Sequence, residues 1–77
     1  MAKLPRQLPG RECIQALERA GFHVHHQRGS HLVLKRDNPT ARVVVPAHKT
    51  LAAGTLRSII RQAGLTVDEF VSLLQSL

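Results

Sequence analysis

The chain predicts an α+β fold: a three-stranded antiparallel sheet with helices packed on one face, in the order α-β-β-β-α-α. Three observations carry that expectation. Apolar residues recur at helical spacing near both ends of the chain, a central block alternates with a period of two, and tracts of turn formers divide that block into strands. The elements come in runs rather than alternating, as a sheet covered by segregated helices requires. At 77 residues the chain is expected to form one domain, 1–77, in which single core losses weigh heavily.

Residues 1–10 carry two prolines, Pro5 and Pro9, and read as an extended N-terminal arm. Helical periodicity begins at Arg11 and runs to Ala20: Cys13, Ile14, Leu17 and Ala20 form one stripe, with Glu12, Gln15, Glu18 and Arg19 elsewhere. Gly21 closes this first helix. From Phe22 the period becomes two. Strict alternation puts Phe22, Val24 and a half-buried His26 on one face, and His23, His25 and Gln27 on the other.

Arg28-Gly29 is a tight reversal into a second strand, residues 30–36, with Leu32 and Leu34 on one side and His31, Val33 and Lys35 on the opposite side. Asp37-Asn38-Pro39-Thr40 is the next turn, and the β-branched run 41–45 is a third strand stopped by Pro46. Residues 47–54 are a connector. A second helix follows, with Leu56, Ile59, Ile60 and Ala63 inward, Arg57 and Arg61 outward and Gly64 as its cap. Thr66-Val67-Asp68-Glu69 has the capping-box pattern and starts a third helix, whose apolar positions are Phe70, Val71, Leu73, Leu74 and Leu77.

The balance of 11 Lys+Arg against 5 Asp+Glu leaves a formal charge of +6, which points to an acidic partner. No helix combines a Lys/Arg-rich polar face with a Trp/Phe-rich apolar one, so a membrane surface fits poorly. Residues 1–6 lead into prolines rather than an apolar run, so neither a secretory signal nor a spanning segment is expected and a cytoplasmic protein is inferred. The lone Cys13 sits among apolar helix positions and reads as a reduced, buried thiol.

The segment Gln27-Arg28-Gly29-Ser30-His31 sets a histidine beside a glycine turn in this basic background. An imidazole gives or takes a proton near neutral pH, and glycine lets backbone N–H groups approach a phosphate. His31 is therefore the candidate acid/base of a phosphate-directed site on the wet sheet face. His23, His25, Lys35 and Arg42 are expected on the same face, and Arg28, Gly29, Ser30, His48, Lys49 and Arg57 are further candidate phosphate contacts. His48 reads either as a second acid/base or as a loop residue, and Arg57 with Arg61 either as a phosphate stripe or as a solvated face. Ser30 as a nucleophile lacks a partner acid, and alternation turns its neighbour His31 to the opposite face. His23 and His25 fall short of the three or four ligands zinc needs, so no metal or other cofactor is expected.

Five blocks then stand in order: Ala16-Leu17-Glu18-Arg19-Ala20-Gly21-Phe22, Gly29-Ser30-His31, Val45-Pro46-Ala47-His48, the run from Gly54 to Leu65, and Asp68-Glu69-Phe70. In that order and spacing the chain resembles the HicA family of toxin ribonucleases, small proteins of bacterial and archaeal toxin–antitoxin pairs. The resemblance covers nearly the whole chain. It implies a fold similar to the double-stranded-RNA-binding domain, metal-independent cleavage of mRNA with His31 as the catalytic residue, and neutralisation by a HicB-like antitoxin. Apart from the resemblance, a monomer is the expected free state. Charge and face pattern alone leave two other classes open: a non-catalytic RNA-binding module and a protein-interaction module of the same fold.

Overall fold

A computed structural model describes residues 3–75 as β1 (Gln7–Pro9), α1 (Gly10–Arg19), β2 (His23–Arg28), β3 (His31–Asp37), β4 (Thr40–Pro46), β5 (Thr50–Ala52), α2 (Ala53–Gln62) and α3 (Val67–Gln75). Strands β2, β3 and β4 form the expected three-stranded antiparallel sheet in that order. The fold is α+β, with α1 and α2 packed against β4 and α3 against α1. Leu77, an expected inward position of the third helix, lies outside the described residues, as do residues 1 and 2 of the N-terminal arm.

Both glycine stops act as the sequence indicates. After α1, Gly21 takes φ +98°, its N–H donates to Glu18 O and the Phe22 N–H donates to Leu17 O; Gly64, at φ +74°, and Leu65 repeat the arrangement on Arg61 O and Ile60 O after α2. The capping box also forms. The Glu69 N–H donates to Thr66 Oγ1 at 3.1 Å while the Thr66 N–H donates to Glu69 Oε1 at 2.8 Å.

Three features depart from the expected elements. Part of the arm, Gln7–Pro9, pairs antiparallel with Thr50–Ala52 from the stretch read as a connector, forming a second, two-stranded sheet that sends Leu8 and Leu51 into the core. Gly10 already belongs to α1, and α2 starts at Ala53 rather than after Gly54. The second departure is a bulge in β2. Val24 pairs with Leu34 but His26 pairs with Val33, so His25 is an extra residue and the alternation reverses beyond it. His26 thereby turns to the outer face and is exposed, not half-buried, whereas Gln27 comes into register with core-facing Leu32. The third is the first hairpin itself, whose loop is Gly29-Ser30, between paired Arg28 and His31, so Ser30 precedes the strand.

The core gathers Cys13, Ala16 and Leu17 of α1, Leu34, Val43 and Val45 of the sheet, Leu56, Ile59 and Ile60 of α2, and Phe70 of α3. Burial of the Cys13 thiol pushes its pKa up to about 12, so it packs as a small apolar group. Among the described residues, no polar or charged side chain is buried.

Arg36 pins the layers together. Its Nη2 donates to Ala63 O at the C-terminus of α2 (3.0 Å), its Nε donates to Pro39 O in the β3–β4 turn (2.9 Å), and its guanidinium lies 4.6 Å from the centroid of the Phe22 ring. The side chain passes close to both Gly21 and Gly64, so the two glycines also leave it room. The guanidinium thus sits at the negative end of α2. Arg36→Ala is expected to destabilise the fold by about 2 kcal/mol, through lost charged hydrogen bonds and the cation–π contact. In a domain of this size that lowers the melting temperature by roughly 10 °C, measurable by circular dichroism.

Candidate functional site

The β2–β3 hairpin shapes the site. Gly29 takes φ +58° while Ser30 keeps a negative φ, the sign pattern of a type II′ turn, which leads with glycine. The Gln27 side chain closes the turn, donating from Nε2 to Gly29 O at 2.8 Å. Arg28 and His31 face each other across it, and His31 is in register with Pro46 on β4, so Arg28, His31 and Pro46 form one row across the end of the outer sheet face. The His31 ring is exposed, on the face opposite Leu32 and the core.

Backbone hydrogen bonds lock this tip to the chain after β4. The Ala47 N–H donates to Ser30 O at 2.8 Å, and the Gly10 N–H donates to Lys49 O at 2.9 Å. Residues 46–49 are thus held between the hairpin and the N-terminus of α1, and His48 and Lys49 stand at the same end of the molecule as Arg28, Gly29, Ser30 and His31. His48 lines two hollows shared with Arg11, one of about 400 Å³ that also borders Lys49 and one of about 240 Å³ that also borders Gln27 and Leu32. His31 lines neither of them.

The remaining candidates separate. Lys35 and Arg42 pair across β3 and β4 and are joined by His23 in a second row on the same outer face, four residues from His31 along the strand, or about 13 Å. Between the rows lie His26, Val33 and Val44. Arg57 is on α2, beside Arg61, Ile60, Leu65 and Val67 in a separate hollow, and the structure does not bring it to His31. Lys35 is the chief cause holding the His25 imidazole below its usual pKa, followed by desolvation, His26, His23 and Arg42.

Sequence reasoning treats Arg11 only as the start of a helix, yet it borders both hollows at His48. Its signal is the Gly10-Arg11 step at the junction of arm and helix, which acquires meaning once Gly10 is seen bonded to Lys49. Among the described residues, no group of three or more His, Cys, Asp and Glu side chains converges as a metal site, and no helix is long and apolar enough to cross a membrane.

The chain is thus a small basic α+β domain that presents a hairpin-borne histidine on a surface rich in cations. The family model described as the HicA toxin of bacterial toxin–antitoxin matches residues 10–65, and the chain belongs to that family of toxins. Among the curated proteins compared with it, none matches the chain.

Proposed function

We propose that this toxin is a metal-independent endoribonuclease that cleaves mRNA in the cytoplasm, with His31 as its acid/base, and that a HicB-like antitoxin silences it by covering the face around His31. The observation that carries the reading is the exposed imidazole of His31 in one row with Arg28, on a hairpin tip whose backbone is fixed by Gly29, Gln27 and Ala47.

The chemistry follows from that placement. His31 takes the proton of a ribose 2′-OH, the 2′-oxygen forms a bond to phosphorus, and the bond from phosphorus to the 5′-oxygen breaks as that oxygen receives a proton. Arg28 and backbone N–H groups at Gly29 stabilise the charge that builds on the phosphoryl oxygens, a role suited to donors fixed before the reaction begins. Lys49 and Arg11 add positive potential at the same end of the molecule. The proton on the departing oxygen comes from water or from His31 itself.

The test is direct. Purified protein incubated with labelled single-stranded RNA and a chelator is expected to release fragments ending in 2′,3′-cyclic phosphate and 5′-hydroxyl. RNA bound without cleavage returns the protein to the non-catalytic RNA-binding class. Fragments ending in 5′-phosphate exclude attack by the 2′-oxygen.

A further inference from the structure

The outer sheet face extends well beyond His31, and what covers it is unusual. In register on this face stand Arg28, His26 and His23 of β2, His31, Val33 and Lys35 of β3, and Arg42, Val44 and Pro46 of β4, with His25 added by the bulge. Asp37, at the far β3–β4 turn, is the one carboxylate in register with it among the described residues. Phe22 and Phe70 are buried and the chain has no Trp or Tyr, so imidazoles are the exposed rings of the protein. Three of them cluster here, with the His25 and His26 ring centroids 5.1 Å apart in an edge-on arrangement. Val33 is only 2 % exposed although it faces outward, whereas Val44 is 36 % exposed and leaves an apolar strip between the cationic rows.

We propose that His23, His25 and His26, with Lys35, Arg42 and the Val44 strip, form a track for single-stranded RNA that leads to His31 and grips more tightly as its imidazoles take up protons. The inference rests on the ribonuclease reading for the destination of the track, and on the composition of the face for the track itself.

Charge complementarity selects a polyanion, and exposed rings beside an apolar strip suit unstacked bases, whose faces pack on imidazole as on other aromatic groups. Without aromatic side chains larger than imidazole, the face is a weak platform when its histidines are neutral. Protonation changes that. In the free protein Lys35 and the neighbouring cations resist charging of His25, and a bound phosphate offsets that repulsion. Binding therefore takes up protons, and affinity rises as the pH falls. The groups facing the three imidazoles are Lys35 from β3, Arg42 from β4 and the histidines themselves from β2, with Asp37 at the turn.

The test uses a short 2′-O-methyl oligoribonucleotide, which lacks the attacking hydroxyl, and reads its affinity for the full chain by fluorescence anisotropy. Between about pH 8 and about pH 5.5 the Kd is expected to fall about tenfold for each imidazole whose pKa rises one unit on binding, and the dependence on salt to steepen by about 0.7 for each further phosphate neutralised. The variant His23→Gln/His25→Gln/His26→Gln is expected to lose this pH dependence. The milder His23→Gln/His26→Gln, which keeps the bulge residue, is expected to lose part of it.

A Kd independent of pH, or a pH dependence unchanged in both variants, overturns the track. Equal affinity for a duplex overturns single-strand selection, and equal affinity for polyglutamate overturns RNA as the occupant. Cleavage by the parent protein together with pH-independent binding sinks this inference and spares the ribonuclease reading. Binding that tightens in acid, by a protein that does not cleave, does the reverse.

Discussion

His31→Ala is expected to lower the rate of RNA cleavage by about 10²- to 10⁴-fold, the range that a positioned proton-transfer group supplies. The same substitution should leave the melting temperature nearly unchanged. His31 is exposed and its part in the fold is backbone pairing with Arg28 and Pro46, which alanine preserves. Exposed substitutions of this kind stay within about 0.5 kcal/mol of the parent. The two measurements, initial rate on labelled RNA and thermal unfolding by circular dichroism, must therefore diverge. A variant that cuts RNA as fast as the parent removes His31 from the mechanism, and a variant that melts far below it makes the histidine a structural residue instead.

Gly10→Ala is expected to be the most damaging single-methyl change in the chain. A β-carbon there collides with the carbonyl oxygen of Pro46 and crowds the carbonyl oxygens of Ala47 and Lys49, at 3.1 and 3.2 Å. All three obstacles are backbone, which cannot swing aside as a side chain does. Alanine's higher helix propensity contributes at most about 1 kcal/mol in the other direction, and overpacking against fixed atoms costs about 3 kcal/mol, so the clash decides the sign. The segment that must yield, 46–49, is tied to Ser30, so loss of stability in urea titration should come with slower RNA cleavage. Gly54→Ala is the control: nothing lies within 4 Å of a β-carbon there, at the second residue of α2, and the variant should be as stable as the parent or more so.

What could be read from the residues was local. Gly21 and Gly64 end their helices, and Thr66 and Glu69 cap each other, because those interactions join residues three to five apart and leave a signature in adjacent letters. The exposure of His31 was equally legible, since alternation with Leu32 and Leu34 places it on the outer face. What escaped was set by partners far along the chain. Three residues with a proline carry no usable period, and Gln7–Pro9 is a strand only because Thr50–Ala52 lies beside it. The bulge at His25 has no composition of its own, and it overturned the face assigned to His26 and Gln27. Arg36 carries no signal of its role in adjacent residues, because Phe22 and Ala63 reach it from elsewhere in the chain.

The dry interior has a consequence for how this protein meets acid. Among the described residues, no buried side chain is polar or charged, and the one sequestered thiol, with an ordinary value of 9.0, is neutral in folded and unfolded chains alike until the solution turns alkaline. Above that value the unfolded chain ionises first and stability falls, while from weakly acidic to neutral conditions nothing inside changes its protonation. The described interior therefore adds no pH dependence in mild acid; what dependence there is comes from the surface, where Lys35 opposes the charging of His25 and the unfolded chain takes up that proton first. Weakening of the fold in mild acid is thus a matter of repulsion between groups outside, not of the packing beneath them.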